Sequence, residues 1–327
     1  MHGLKELINE LRRVESLRTE SARALKASCG LVEKCPCLPL DFKVGAVDAG
    51  LVAQEFHAFD LVVVKAVGAV FEYRNGRLAG HKYCPAPFPK ESIATNGSMD
   101  LVELGQYRNI LRLKEEISLA VDVAKECDLM LIDGSLVPLP SDKPANKEMR
   151  AEYEELVSLY LKLFEESGHK LVGVIKDSRS KRLLEENAHI IGQDVIANST
   201  DSTLLDLVLE KGEMTRPLPY SKDAKANQIL KDLMPHSEKL NVSYIKAGKN
   251  DRPLRVEFFG EGKELIGKLY PLCSINENYS YPSILIDVDL RAIIEPQDAE
   301  RIYHEIEVAP FLHDSRLLRR DSRPFRH

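Results

Sequence analysis

Apolar side chains recur at helical spacing through residues 3–27, with Leu4, Ile8, Leu11, Leu17 and Leu25 near one face, which predicts an amphipathic helix. "CPCLPL" breaks it. An extended run over 43–47 then ends at Asp48 in "VGAVDAGL". The valine-rich "FDLVVVKAVGAVFEY" (59–73) follows, and the turn "RNG" leads into "GRLAGHKYCP" (76–85), so three consecutive antiparallel strands are predicted. Residues 104–127 return to helical period through Ile110, Leu113, Ile117, Ala120, Val121 and Ala124. A buried strand over 128–133 follows in "LMLIDGSL", ending in Asp133 and Gly134. After the loop "PLPSDKPAN" come an amphipathic helix near 147–167, a strand over 169–177 and a helix near 200–210.

Hairpin strands first and βαβ units afterwards imply an α/β fold, with a mixed sheet and flanking helices. The order three strands, helix, strand, helix, strand is ribonuclease-H-like. In that order the first strand is central and the strand after the first helix lies beside it, so Asp48 and Asp133 become neighbours in space. The chain divides into an N-terminal helical segment (1–40), one large domain (41–312) and a locally basic tail (313–327) containing "RLLRRDSRPFRH".

Adjacent buried carboxylates repel each other unless a cation lies between them. Oxygen donors suit magnesium and manganese, and two such ions about 3.5–4 Å apart support phosphodiester hydrolysis. Taken singly, "DAG" or "DGS" marks only a turn. Taken together in this strand order, the two motifs point to a metal site. The helix before Asp133 adds a third acid: Glu115 points away from its apolar face, while Glu116 sits at the rim of that face. A solvated helix-edge acid is the plainer alternative for Glu116.

The net charge of −6 over 327 residues gives no global signal for nucleic acid, so any basic surface must be local. "IKDSRSKR" supplies one, with Lys176, Arg179, Lys181 and Arg182 placed after a strand end to meet DNA phosphates, or else forming a solvated loop. No apolar run is long enough to span a membrane, and the charged N-terminus is unlike a signal peptide. The cysteines, including the pair Cys35 and Cys37, lack a second pair at zinc spacing and read as reduced thiols of a cytoplasmic protein.

"VGAVDAG", "RLKEEISLA" leading to "LMLIDGSL", "LVGVIKDSRS", "LEKGEMTRPLPY", "RPLRVEF" and "YPSILIDVDLRAII" fall in an order that resembles the NurA nuclease family, archaeal or bacterial, over roughly residues 40–310. The resemblance implies a manganese-dependent DNA nuclease, with magnesium as the alternative ion. It also implies a ring-shaped homodimer that works with the hexameric DNA-translocating ATPase HerA in DNA-end resection of double-strand breaks. By motif, the family's metal-binding acids fall on Asp48, Glu116 and Asp133, and its late tyrosine falls on Tyr281. Eight positions later, where the family usually has histidine, this chain has Asp289, an oxygen ligand; Asp287 is its neighbouring competitor. Two other readings compete. One is a non-catalytic platform subunit for the translocase, which the missing histidine would suit. The other is an actin-like ATPase, disfavoured because only one copy of the core is present.

Overall fold

The computed structural model describes residues 3–307 apart from 29, 98 and 148, so the basic tail lies outside the described residues. Helix α1 (Leu4–Ser28) leads to β1 (Val32–Lys34), β2 (Lys43–Glu55), β3 (Phe59–Arg74), β4 (Arg77–Cys84) and β5 (Ser92–Gly97). Then come α2 (Leu101–Ala124), β6 (Leu129–Asp133), α3 (Arg150–Ser167) and β7 (Leu171–Ile175). Three short helices follow: α4 (Arg182–Glu186), α5 (Gln193–Asn198) and α6 (Asp201–Val208). Strands β8 (Glu213–Thr215), β9 (Leu218–Pro219), β10 (Leu240–Lys246) and β11 (Leu254–Phe259) precede α7 (Lys263–Cys273), α8 (Ser283–Ala292) and α9 (Pro296–Glu307).

All strands join one sheet, whose main path runs β1-β8-β10-β11-β7-β6-β2-β3-β4. Strands β2, β6 and β7 are mutually parallel, β3 runs antiparallel beside β2, and β4 runs antiparallel beside β3. The segment β7-β6-β2-β3-β4 has the ribonuclease-H-like order expected from the sequence, with β2 in the middle of those five strands. Helices α2 and α3 cover one face through Ile117, Ala120, Leu156 and Tyr160. Helices α7 and α8 cover the other through Ile266, Leu269, Leu285 and Val288, packed on Val44, Ala46, Leu129 and Leu131. Each fully enclosed aliphatic side chain here contributes about 1.5–3 kcal/mol relative to exposure.

Two expectations are revised. The first strand does not end at Asp48: it continues to Glu55, with Gly50–Glu55 paired to Asp60–Lys65. "DAG" is therefore extended backbone, and Gly50 serves packing instead of a turn. A Cβ at Gly50 would lie 2.0 Å from the Ala292 carbonyl oxygen at the end of α8. Gly50→Ala must push α8 off the sheet, and overpacking of this kind costs about 1–3 kcal/mol. A thermal melt is expected to show a midpoint several degrees lower; an unchanged midpoint would mean that α8 does not depend on this contact.

The single apolar face expected for α1 also divides. Val14, Ala22 and Leu25 are buried against the region of α5 and α6, whereas Leu4 is 73% and Leu11 59% exposed. No helix among the described residues is long and apolar enough to cross a membrane.

Candidate active site

Parallel pairing of β2 with β6 sets Val47 opposite Ile132, so the next step of both strands brings Asp48 beside Asp133. Alternation along the strands turns both aspartates to the face covered by α8. The Asp48 carboxylate accepts a hydrogen bond from the Ala49 N–H at 2.7 Å. Burial, then the charges of Asp133 and Asp289, push its carboxyl up to about 6. Asp289, on α8, comes within hydrogen-bonding reach of Asp48. Its competitor Asp287 points elsewhere: it accepts from Arg291 Nε at 3.0 Å, and that guanidinium stacks 4.1 Å from the Tyr83 ring.

Asp133 is held from two sides. The Tyr281 hydroxyl donates to Oδ1 at 2.8 Å, and Lys176 Nζ donates to Oδ2 at 3.0 Å while lying 4.3 Å from the centre of the Tyr281 ring. Burial, reinforced by Asp133, drives the tyrosine phenol far above its ordinary range, so it remains a protonated donor. For Lys176, burial acts downward, but the hydrogen bond and charge of Asp133 outweigh it and the ammonium is raised.

Glu116 arrives from α2. It is 1% exposed, whereas Glu115 faces solvent, as the helical phase requires. Arg112, one turn earlier, donates to its carboxylate at 2.6 Å. Burial pushes the Glu116 carboxyl up to about 8; Arg112 opposes this, and the charges of Asp48 and Asp133 add to it. Glu116 therefore belongs electrostatically to the same cluster. The i, i+4 spacing of Arg112 was a signal in the sequence that went unused.

Asp48, Asp133 and Asp289 thus meet on the α8 face, and Glu116 adds its charge from α2, while Lys176 and Arg112 are the cations bonded to two of these acids. Among the described residues, no three acidic, histidine or cysteine side chains are gathered closely enough to hold a metal ion together. Asp133 and Glu116 instead lean on Lys176 and Arg112. A hard divalent cation fits this donor set, because it matches the excess charge and the oxygen chemistry.

The turn after Asp133 is built as the sequence implied. Gly134 adopts φ +118°, open to glycine, and its N–H donates to Val174 O at 3.0 Å. Glu257, inside "RPLRVEF" and 1% exposed, accepts from Ser135 Oγ at 2.8 Å and Leu136 N–H at 3.0 Å, and is itself held by Arg255. It anchors the segment that carries Asp133. An acid alternating within an apolar strand was its visible signature.

The basic loop divides by role. Lys176 lies in the site, and Arg179 is exposed without a bonded partner among the described residues. Lys181 donates to the carbonyls of Ile196 and Ala197, and Arg182 to Glu186, so those two hold the loop together. Cys35 and Cys37 are free thiols, and burial pushes the Cys35 thiol up to about 12.

A ribonuclease-H-like sheet with carboxylates converging at its central strands defines a polycarboxylate phosphoryl-transfer architecture. Within it, the NurA domain profile matches residues 42–294, and the chain belongs to the NurA family. The NurA nuclease from Sulfolobus solfataricus superposes with a TM-score of 0.63 at 19% identity, covering 95% of this chain and 98% of that one. NurA crystallised with manganese gives 0.61 at 10% identity, covering 92% and 98%. NurA bound to dAMP and manganese gives 0.62 at 13% identity, covering 97% and 96%. No curated protein matches the chain.

Proposed function

We propose that this protein is a manganese-dependent DNA nuclease that hydrolyses phosphodiester bonds, with Asp48, Glu116, Asp133 and Asp289 holding the metal. The observation that carries this reading is the meeting of Asp48, Asp133 and Asp289 on one sheet face, with the buried Glu116 adding its charge from α2. The family match and the likeness to NurA structures containing manganese and dAMP support it. When bound, the divalent ion offsets charge building on the phosphate and makes water a better nucleophile.

The chain's own groups do the rest. Tyr281 fixes one oxygen of Asp133 and so orients the carboxylate. Lys176 neutralises the other oxygen, and with a cation held there in its place its ammonium would be free to meet a phosphate. Arg112 would be released from Glu116 in the same way. Arg179 extends the phosphate-binding surface outward. Digestion of linear DNA by purified protein, with and without manganese, tests the reading. Activity only with the ion is expected; an inert wild-type protein would favour the platform subunit.

Asp289 stands where the family usually carries histidine, and it faces Asp48. Asp289→Ala is expected to weaken apparent manganese affinity several-fold, and Asp287→Ala to leave it unchanged. Calorimetric titration of both variants with manganese distinguishes them, and the reverse pattern would assign the ligand to Asp287. We propose further that the protein acts as a homodimer with a HerA-type ATPase in DNA-end resection. Family membership supports this, and exposed Leu4, Leu7 and Leu11 offer apolar contact surface.

A further inference from the structure

The run "VVVKAVGAV" places one lysine, Lys65, inside an otherwise apolar strand. Lys65 is only 9% exposed, and Val62, Val63, Val64 and Val67 around it are buried. A buried ammonium is costly unless something compensates it. Among the described residues it has no hydrogen-bond or ion-pair partner. Arg108 Nε is the only fully enclosed side-chain nitrogen or oxygen without a partner among those residues, so the Lys65 ammonium keeps the small solvent access that the side chain retains.

Its position is set by register. Lys65 pairs with Gly50, and Asp48 with Val67, so Lys65 and Asp48 are diagonal neighbours on adjacent strands. Directly paired residues share a face, and residues two apart on a strand share it too. Lys65 therefore lies on the sheet face that carries Asp48, one diagonal step away, where β-carbons are separated by about 7 Å. The carbonyl end of α8 lies over Gly50 and provides a potential that a cation tolerates, yet it takes none of the ammonium's hydrogen bonds. Three unspent N–H donors on a stem flanked by buried valines remain on the sheet face that carries Asp48.

We propose that Lys65 is a phosphate-binding residue, contacting a backbone phosphate of the DNA strand next to the one presented to Asp48 and Asp133. This rests on the nuclease reading and adds to it a fixed anion contact on the strand side of the site. A structural lysine and a phosphate-binding lysine differ in what their removal does. If Lys65 stabilises the fold, Lys65→Met lowers the thermal midpoint. If it waits for a phosphate, Lys65→Met leaves the midpoint unchanged or raises it, because an uncompensated buried charge is replaced by an apolar side chain of similar shape.

The test is fluorescence anisotropy of a short labelled single strand, in EDTA to prevent cleavage, over a series of salt concentrations. Loss of one phosphate contact should make the log–log dependence of affinity on salt shallower by about 0.7. Lys65→Met is expected to bind several-fold more weakly with that shallower slope and an unreduced thermal midpoint. Lys65→Arg is expected to keep the wild-type slope, and Lys65→Gln serves as the neutral variant should Lys65→Met not fold. Wild-type affinity and slope in the neutral variant would overturn the proposal while leaving the nuclease reading intact. A wild-type protein that neither binds this strand nor degrades linear DNA with manganese would overturn both.

Discussion

Asp48→Asn is expected to lower nuclease activity by about a thousandfold or more, with the thermal midpoint of the metal-free protein unchanged or raised. The first half follows from the strand pairing: Asp48 lies beside Asp133 in the sheet and within hydrogen-bonding reach of Asp289 from α8. Removing its charge removes a ligand from an ion whose contribution to the transition state is several kcal/mol, and each 1.36 kcal/mol is tenfold in rate. The second half follows from repulsion. Burial and two neighbouring carboxylates already push the Asp48 carboxyl up to about 6, so the ionised form is disfavoured in the folded protein. Asparagine keeps the size and an oxygen for the Ala49 N–H without the charge. Digestion rates and melting curves on the same preparations check both halves, and full activity in the variant would remove Asp48 from the site.

Glu116→Gln is expected to remove activity at least tenfold while making the metal-free protein more heat-stable, increasingly so as pH rises. The Glu116 carboxyl is pushed up to about 8 from its ordinary 4.5, first by burial. Between those values the folded state keeps a proton that the unfolded chain has released. Stability contributed by this group is therefore lost as pH rises through that window. Glutamine does not titrate, so its thermal midpoint should exceed the wild type by a few degrees above pH 8 and by little near pH 5. Arg112 loses a full counter-charge in the variant, but its partly exposed guanidinium can turn to water. Manganese must displace the same proton, so its affinity for the wild type should rise with pH across the window. Melts in EDTA across pH, with Glu115→Gln as control, decide the matter; a pH-independent difference would mean that Glu116 does not carry the proton.

Strand order, helix phase and the pairing of Asp48 with Asp133 were legible because each depends on local periodicity plus one topological rule. Glu116 was distinguishable from Glu115 by the same means, since burial of Ile117 and Leu113 fixes the rotation of α2. The extent of β2 was not legible. Its second half, "GLVAQE", has few strong strand formers, and it is held extended by the valines of β3 opposite. Gly50 looked like a turn because the helix end packed against it comes from more than 240 positions later. Asp289 was preferred to Asp287 on the family resemblance alone; that it crosses over β2 on α8 to within reach of Asp48 is stated by no local pattern. Lys65 and Glu257 were visible as charges in apolar strands, but only the register shows what each one faces.

Anomalous diffraction from a crystal of this protein soaked in manganese tests the metal assignment most directly. The expected result is a manganese peak bridged by the carboxylates of Asp48 and Asp133, with Asp289 or Glu116 completing its protein ligands and Lys176 or Arg112 moved away from the acid it now holds. A saturating soak that leaves those four acids without a peak, or places the ion at a different cluster, would contradict it.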